Sequence, residues 1–171
     1  VESSIKTGKA LFLEKPLCIS EEELIKLESM AASSDELPII MVGHNRRFSP
    51  HLQQLHRWLL LRKNPLVIQY RVNSGFVPSD HWVHSEGEGR SRIVGEMTHF
   101  IDLLNNITGS RISRVHAERI GGDNQSAVNN DNIAVTLKFE EGSVANLTYA
   151  ASGDKAYSRE KIEIFFEGNT M

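Results

Sequence analysis

Two short apolar runs, Ala10-Leu11-Phe12-Leu13 and Pro38-Ile39-Ile40-Met41-Val42-Gly43, flank one helical segment, and this order leaves the first part of the chain little choice of fold. Ile19-Ser20-Glu21-Glu22-Glu23-Leu24 reads as a helix start, with Ser20 as N-cap, Glu23 completing a capping box and Ile19 stapled to Leu24. Leu24, Leu27 and Ala31 recur at helical spacing until Ser33-Ser34-Asp35 interrupts them. Two strands joined through a helix run parallel with a right-handed crossover, so their carboxyl ends share one edge. That edge receives Glu14-Lys15-Pro16 from the first strand and His44-Asn45-Arg46-Arg47-Phe48 from the second. In open α/β sheets small molecules bind beyond the strand carboxyl ends, where a lysine can hold an oxygen or a phosphate. Taken alone, Glu-Lys-Pro reads as an ordinary strand exit; its convergence with Asn45, Arg46 and Arg47 is what marks a candidate site. The Lys15-Pro16 bond is a candidate cis peptide.

Ser49-Pro50 opens a further helix through Arg62, with Leu52, Leu55, Leu59 and Leu60 on one face, and Asn64-Pro65 closes it. From Leu66 to Ser74 the chain alternates, placing Ile68, Tyr70 and Val72 on one side of a half-buried strand. The stretch from Gly75 to Gly95 has no period, and long irregular loops in compact domains are usually functional or disordered. His81 and Trp82 are large groups that a disordered loop rarely carries, which makes them candidate ligand contacts. A helix from Glu96 to Thr108-Gly109 carries Met97, Phe100, Ile101 and Leu104 on an apolar stripe and Glu96, His99, Asp102 and Asn106 opposite. Strands follow at Ile112 to Ile120, Ile133 to Phe139, Val144 to Tyr149 and Lys161 to Glu167, with Glu140-Glu141-Gly142-Ser143 as a hairpin turn. The expected class is α/β (α+β): a parallel βαβ unit of Rossmann type, then a large open, mostly antiparallel sheet, in the form of a meander, with helices on one face.

A chain of 171 residues, 40% hydrophobic, can bury a sizeable core. Its formal charge of -3, with both signs interspersed, gives no electrostatic footprint for nucleic acid or an anionic membrane. The single cysteine, Cys18, forms no internal disulfide and is expected in the core of a protein from a reducing, cytoplasmic compartment, so the sequons at Asn106, Asn124 and Asn146 carry little weight. No apolar stretch approaches bilayer length.

Glu14-Lys15-Pro16, Asn45-Arg46-Arg47-Phe48-Ser49-Pro50 and His99-Phe100-Ile101-Asp102 together resemble, in order and spacing, the glucose-fructose oxidoreductase, inositol dehydrogenase and MocA family. The resemblance covers nearly the whole chain. It implies that residues 1–48 are the last part of a dinucleotide-binding domain and that residues 49–171 are a substrate-binding and dimerisation domain, incomplete at its C-terminus. Asp80-His81-Trp82-Val83-His84 through Leu104 is similar to the rear half of two-part oxidoreductases associated with surface-polysaccharide pathways. Implied partners are a sugar or nucleotide sugar and a second copy docked through the sheet.

By the same resemblance, Lys15 contacts nicotinamide and substrate, with Glu14 and Pro16 beside it, and His99 exchanges a proton with the reacting hydroxyl. Asn45, Arg46, Arg47, His81, Trp82 and Asp102 are the expected substrate contacts. The chemistry needs such a pair: removing a hydride from a carbinol leaves a carbonyl only if the hydroxyl proton departs, and a nearby cation stabilises charge developing on oxygen. Imidazole suits the task because it titrates near neutrality. Many family members carry an Asp four residues before this histidine, where this chain has Gly95; Glu96 is the nearest substitute. Asp102 either orients His99 or binds neighbouring backbone.

No Gly-x-Gly-x-x-Gly turn follows a strand; Gly87 and Gly89 lack the third glycine. NAD or NADP is therefore expected to be the cofactor of a full-length protein and not to bind this truncated chain tightly. The competing readings are a non-catalytic ligand-binding or dimerisation module, and a metal site of His81, His84 and His99, whose His-Trp-Val-His spacing fits no specific metal. No metal is expected.

Overall fold

The computed structural model describes residues 1–85, 91–121 and 131–171. Gly87, Gly89 and Asn124, singled out above, lie outside them. A short helix α1 (Glu2–Thr7), which the sequence reading did not foresee, ends at Gly8 in the left-handed region, φ 67°. Strand β1 (Leu11–Leu13), helix α2 (Glu21–Ala32) and strand β2 (Ile40–Val42) form the parallel unit, paired Leu11 to Ile40 and Leu13 to Val42. Ser20 caps α2, its hydroxyl accepting from Glu23 N at 3.1 Å. The Glu23 carboxylate reaches back one residue further than a standard capping box, accepting from Ile19 N at 2.9 Å. A two-stranded sheet offers little surface to cover a helix, and no residue of α2 is buried. Cys18, expected in the core, is only half-buried, and burial pushes its thiol up.

A 3-10 turn over Asn45–Phe48 leads into helix α3 (Pro50–Leu59), whose N-cap Ser49 accepts from Leu52 N at 3.3 Å. The helix ends earlier than expected, and Leu60 is 84% exposed rather than on the core face. Eight residues after Leu52 lies about 80° round an α-helix, at the edge of the stripe that Leu52 and Leu59 bury. Strand β3 (Val67–Asn73) follows, then, after the long loop, a π-type turn at Ile93–Met97 running into α4 (Thr98–Thr108). Helical winding thus begins before Glu96.

Strands β4 (Ile112–Arg119), β5 (Asn132–Phe139), β6 (Val144–Ala150), β7 (Glu160–Phe166) and β8 (Asn169–Thr170) complete a six-stranded sheet of order β4-β5-β6-β3-β7-β8. The sheet is mostly antiparallel, but it is not a plain meander: β3 inserts between β6 and β7 and runs parallel to β6. Alternation decides which face is buried. Ile68, Tyr70, Val72, Leu137, Phe139, Leu147, Tyr149 and Ile164 form one core with Leu52 and Leu59 of α3 and Phe100, Leu104 and Ile107 of α4. Both helices therefore cover the same face and bring their ends to the exit of β1 and β2. No helix among the described residues is long and apolar enough to cross a membrane.

Candidate active site

The Lys15-Pro16 bond is cis. Beyond it Lys15 Nζ donates to the Gly95 carbonyl at 2.7 Å, joining the exit of β1 to the π-type turn. A π-type turn is wider than an α-turn and breaks the regular i+4 pairing, a device frequent at functional sites. Here it offers a backbone oxygen to a lysine that makes no ion pair among the described residues.

Lys15, Pro16, Gly95, Glu96 and His99 line one cavity of about 540 Å³. Its far wall is His81, Trp82 and Val83 from a 3-10 turn, and Arg46, Phe100 and Arg159 complete it. Trp82 stays 60% exposed, leaving an aromatic face free at the rim. Burial, then the charges of Arg46 and Lys15 and the nearby His44, press His99 down to about 4, against the opposing pull of Asp102. At neutral pH His99 is thus an uncharged imidazole and a competent proton acceptor.

Glu96 is held firmly. Arg92 Nε donates to its Oε1 at 2.8 Å and the Tyr149 hydroxyl to its Oε2 at 2.8 Å. Burial raises its carboxyl, but these two partners outweigh burial and leave it below the usual carboxylate range. Arg92, only 2% exposed, also donates to the Gly75 carbonyl at 2.7 Å and stands 3.7 Å from Asp131. Asp131 meets His84 at 3.7 Å as well, neither of its oxygens has a hydrogen-bond partner among the described residues, and burial raises its carboxyl against the pull of Arg92 and His84. Across the cavity Arg46 lies over the Phe100 ring, 4.5 Å from its centroid, and binds Glu160 with two nitrogens at 2.7 and 3.2 Å, while Tyr70 donates to the same carboxylate at 2.6 Å.

The structure thus gathers Lys15, Pro16, Arg46, His81, Trp82, Glu96 and His99 around one space. Other expected contacts lie elsewhere. Arg47 pairs with Asp102 through Nε and one terminal nitrogen, and among the described residues Asp102 bonds neither His99 nor the backbone. Asn45 lines a neighbouring cavity of about 580 Å³ between α3, α4 and the sheet. The Glu14 carboxylate lies beside Gly43 at the exit of β2. His84 turns to Asp131 while His81 and His99 line the cavity, and no cluster among the described residues could hold a metal ion. The sequence reading missed Arg92, whose spacing of four from Glu96 is an ordinary helical ion-pair signal. Tyr149 and Glu160 had no local signal, because only the sheet order brings them near; His44 was placed on the shared edge by the crossover but was not singled out as a site residue.

A family model described as the GFO/IDH/MocA C-terminal domain matches residues 64–171. The chain is 24% identical over 170 residues to the uncharacterized oxidoreductase YrbE of Bacillus subtilis strain 168, covering 96% of this chain and 48% of that protein. Among solved structures, the myo-inositol dehydrogenase from Lactobacillus casei in complex with NAD(H) and myo-inositol matches with a TM-score of 0.78 at 18% identity, over 99% of this chain and 49% of that one. The UDP-N-acetylglucosamine 3-dehydrogenase GnnA from Acidithiobacillus ferrooxidans matches with a TM-score of 0.70 at 22% identity, over 97% of this chain and 48% of that one. The chain spans about half the length of these relatives.

Proposed function

This chain belongs to the GFO/IDH/MocA family, and from that premise we propose that it is the substrate-binding portion of an NAD(P)-dependent oxidoreductase acting at a hydroxyl carbon of a sugar or nucleotide sugar. The observation that carries the reading is the shared cavity: a lysine ammonium and a neutral imidazole, from elements far apart in sequence, face one space large enough for a sugar.

The residues fit the nicotinamide end of a dinucleotide. Lys15 and Pro16 stand at a strand exit and open onto the cavity, but β1 and β2 are followed by Glu14-Lys15-Pro16 and Gly43-His44-Asn45, not by a glycine-rich phosphate turn. When bound there, a nicotinamide supplies the hydride acceptor or donor. His99 takes the hydroxyl proton as the carbonyl forms and returns it in the reverse direction. Lys15 spends one ammonium hydrogen on Gly95 and has two left to stabilise charge on the reacting oxygen. Glu96, ionised and with both oxygens engaged, serves as a fixed acceptor that orients a substrate hydroxyl. Arg46 and the His81-Trp82 wall bind the rest of the sugar. In this reading residues 1–48 close a dinucleotide-binding domain, the chain alone holds NAD or NADP weakly, the open face of the sheet pairs two copies, and the protein works in the cytoplasm.

Turnover of a panel of inositols and nucleotide sugars by the full-length protein, followed by NAD(P)H absorbance, tests the proposal. His99→Gln should lower kcat by about 10²-fold or more. Full turnover in His99→Gln, or no NAD(P)-linked turnover of any panel member, would transfer the cavity to a non-catalytic ligand-binding role.

A further inference from the structure

His44 lies two residues beyond the end of β2 and does not line the cavity, yet its ring packs against the His99 ring, with centroids 5.5 Å apart and planes at 82°. Both Nδ1 atoms are buried and neither has a hydrogen-bond partner among the described residues. Two orphaned ring nitrogens on touching imidazoles are unusual, since a buried polar atom without a partner costs about 1–3 kcal/mol. The separation is that of a joined pair: an N–H···N bond of about 2.9 Å, plus roughly 1.1 Å from each nitrogen to its ring centre, spans about 5 Å. Turning the rings until the two Nδ1 atoms face each other would form that bond.

We propose that His44 is the second imidazole of a proton path. With His99 Nδ1 buried, the other ring nitrogen, Nε2, is the one left to meet a substrate in the cavity. When Nε2 receives the hydroxyl proton, the Nδ1 proton of His99 passes to the Nδ1 lone pair of His44, so that His99 ends neutral and His44 carries the charge. In the reverse reaction the proton returns by the same bonds.

The charges around the two rings favour that direction. Facing His99 are Arg46, Lys15 and His44, all opposing a proton, with Asp102 the weakest influence. Burial pulls His44 down as well, but of the charges facing it, Asp102, Arg47 and Lys15, the carboxylate is the strongest and favours a proton. Asp102 is itself bound by Arg47, whose half-exposed side chain leads to the surface. A proton leaving His99 therefore moves away from Arg46 toward the Asp102 carboxylate, while Lys15 faces both rings and Arg47 faces the second.

The inference rests on the oxidoreductase reading but is tested apart from it. In this chain, imidazole nitrogen NMR should show His99 and His44 titrating as a coupled pair, in two steps. His44→Phe, or His44→Gln should the aromatic variant misfold, should leave His99 with a single-step titration. In the full-length protein His44→Phe should lower kcat by about tenfold or more with KM little changed, and added imidazole should restore part of it. Independent titration of the two rings overturns the proposal, and so does unchanged kcat in His44→Phe or a loss that imidazole does not rescue. A wild-type protein without dehydrogenase turnover would sink the functional reading, and the titration alone would then decide whether the rings exchange a proton.

Discussion

The Lys15 ammonium and the Gly95 carbonyl, eighty residues apart in sequence, meet at 2.7 Å and fasten the parallel unit to the turn that carries Glu96 into α4. This bond fixes the lysine head group relative to the turn that leads to His99.

Replacing that lysine removes the fastening and a cation from the cavity together. Lys15→Met should cost about 1–2 kcal/mol in urea unfolding, within the range for a hydrogen bond to a charged donor. It should also move the His99 titration upward, because Lys15 is one of the charges holding it down. An unchanged His99 midpoint by NMR would show that the ammonium does not act on the imidazole.

His99 makes stability depend on pH in a defined window. Its folded value of about 4 lies below the ordinary imidazole value of 6.5, so the unfolded chain binds the proton more tightly. The sign follows: the burden is absent above about pH 6.5 and stability falls as pH drops from there toward 4. His99→Phe should flatten the slope between pH 6.5 and 5, a range above the carboxyls of Glu96 and Glu160, both of which lie below 4.5. Urea midpoints at several pH values measure it.

Much of this site was legible in the residues. Ser20 and Ser49 mark helix starts because a cap needs a short oxygen-bearing side chain, and both cap as expected. The parallel crossover forces Lys15 and Arg46 to one edge, whatever the packing. Less legible was anything that depends on the sheet order. Tyr149 and Glu160 sit on β6 and β7, and only the insertion of β3 between these strands turns Tyr149 toward Glu96 and Glu160 toward Arg46. The π-type turn was also hidden, since a 3.6-residue period counted from Glu96 cannot reveal a wider turn before it.

Arg92 and Glu96 are strongly interdependent. Glu96→Gln removes the countercharge from a guanidinium that is almost wholly buried, leaving Asp131 at 3.7 Å as its nearest anion among the described residues. The loss should be about 2–3 kcal/mol, somewhat under that for fully buried pairs because the carboxylate reaches the cavity. A cycle of Arg92→Met, Glu96→Gln and the double variant should give a coupling of about 1–3 kcal/mol by chemical unfolding. Additive losses would mean that the two side chains merely sit together.

The hairpin between β5 and β6 depends on its glycine. Gly142 has φ 107°, and a Cβ there would stand 2.9 Å from Pro65 Cγ. Its neighbour Ser143 is fully buried and accepts from Leu66 N at 2.7 Å, anchoring the start of β3 to the turn. Gly142→Ala should therefore cost about 1–3 kcal/mol through backbone strain and crowding. Ser143→Ala should cost a similar amount by leaving the Leu66 amide unpaired, with a thermal melt as the measurement for both.

Gly95 is open to the opposite change. A Cβ there would meet nothing within 4 Å, and its φ is not in the left-handed region. Gly95→Asp installs the carboxylate that many family members carry at this place, beside the Lys15 ammonium and one residue before Glu96. The backbone carbonyl that Lys15 uses remains, so the fold should hold within about 0.5 kcal/mol, as for other changes away from packed features. The new carboxylate adds a negative charge facing His99 and should raise its titration midpoint, opposing Arg46 and Lys15. NMR titration of His99 in this variant reads the effect directly. An unmoved midpoint would mean that the position is shielded from the imidazole, and that the orienting anion of this site is Glu96 alone.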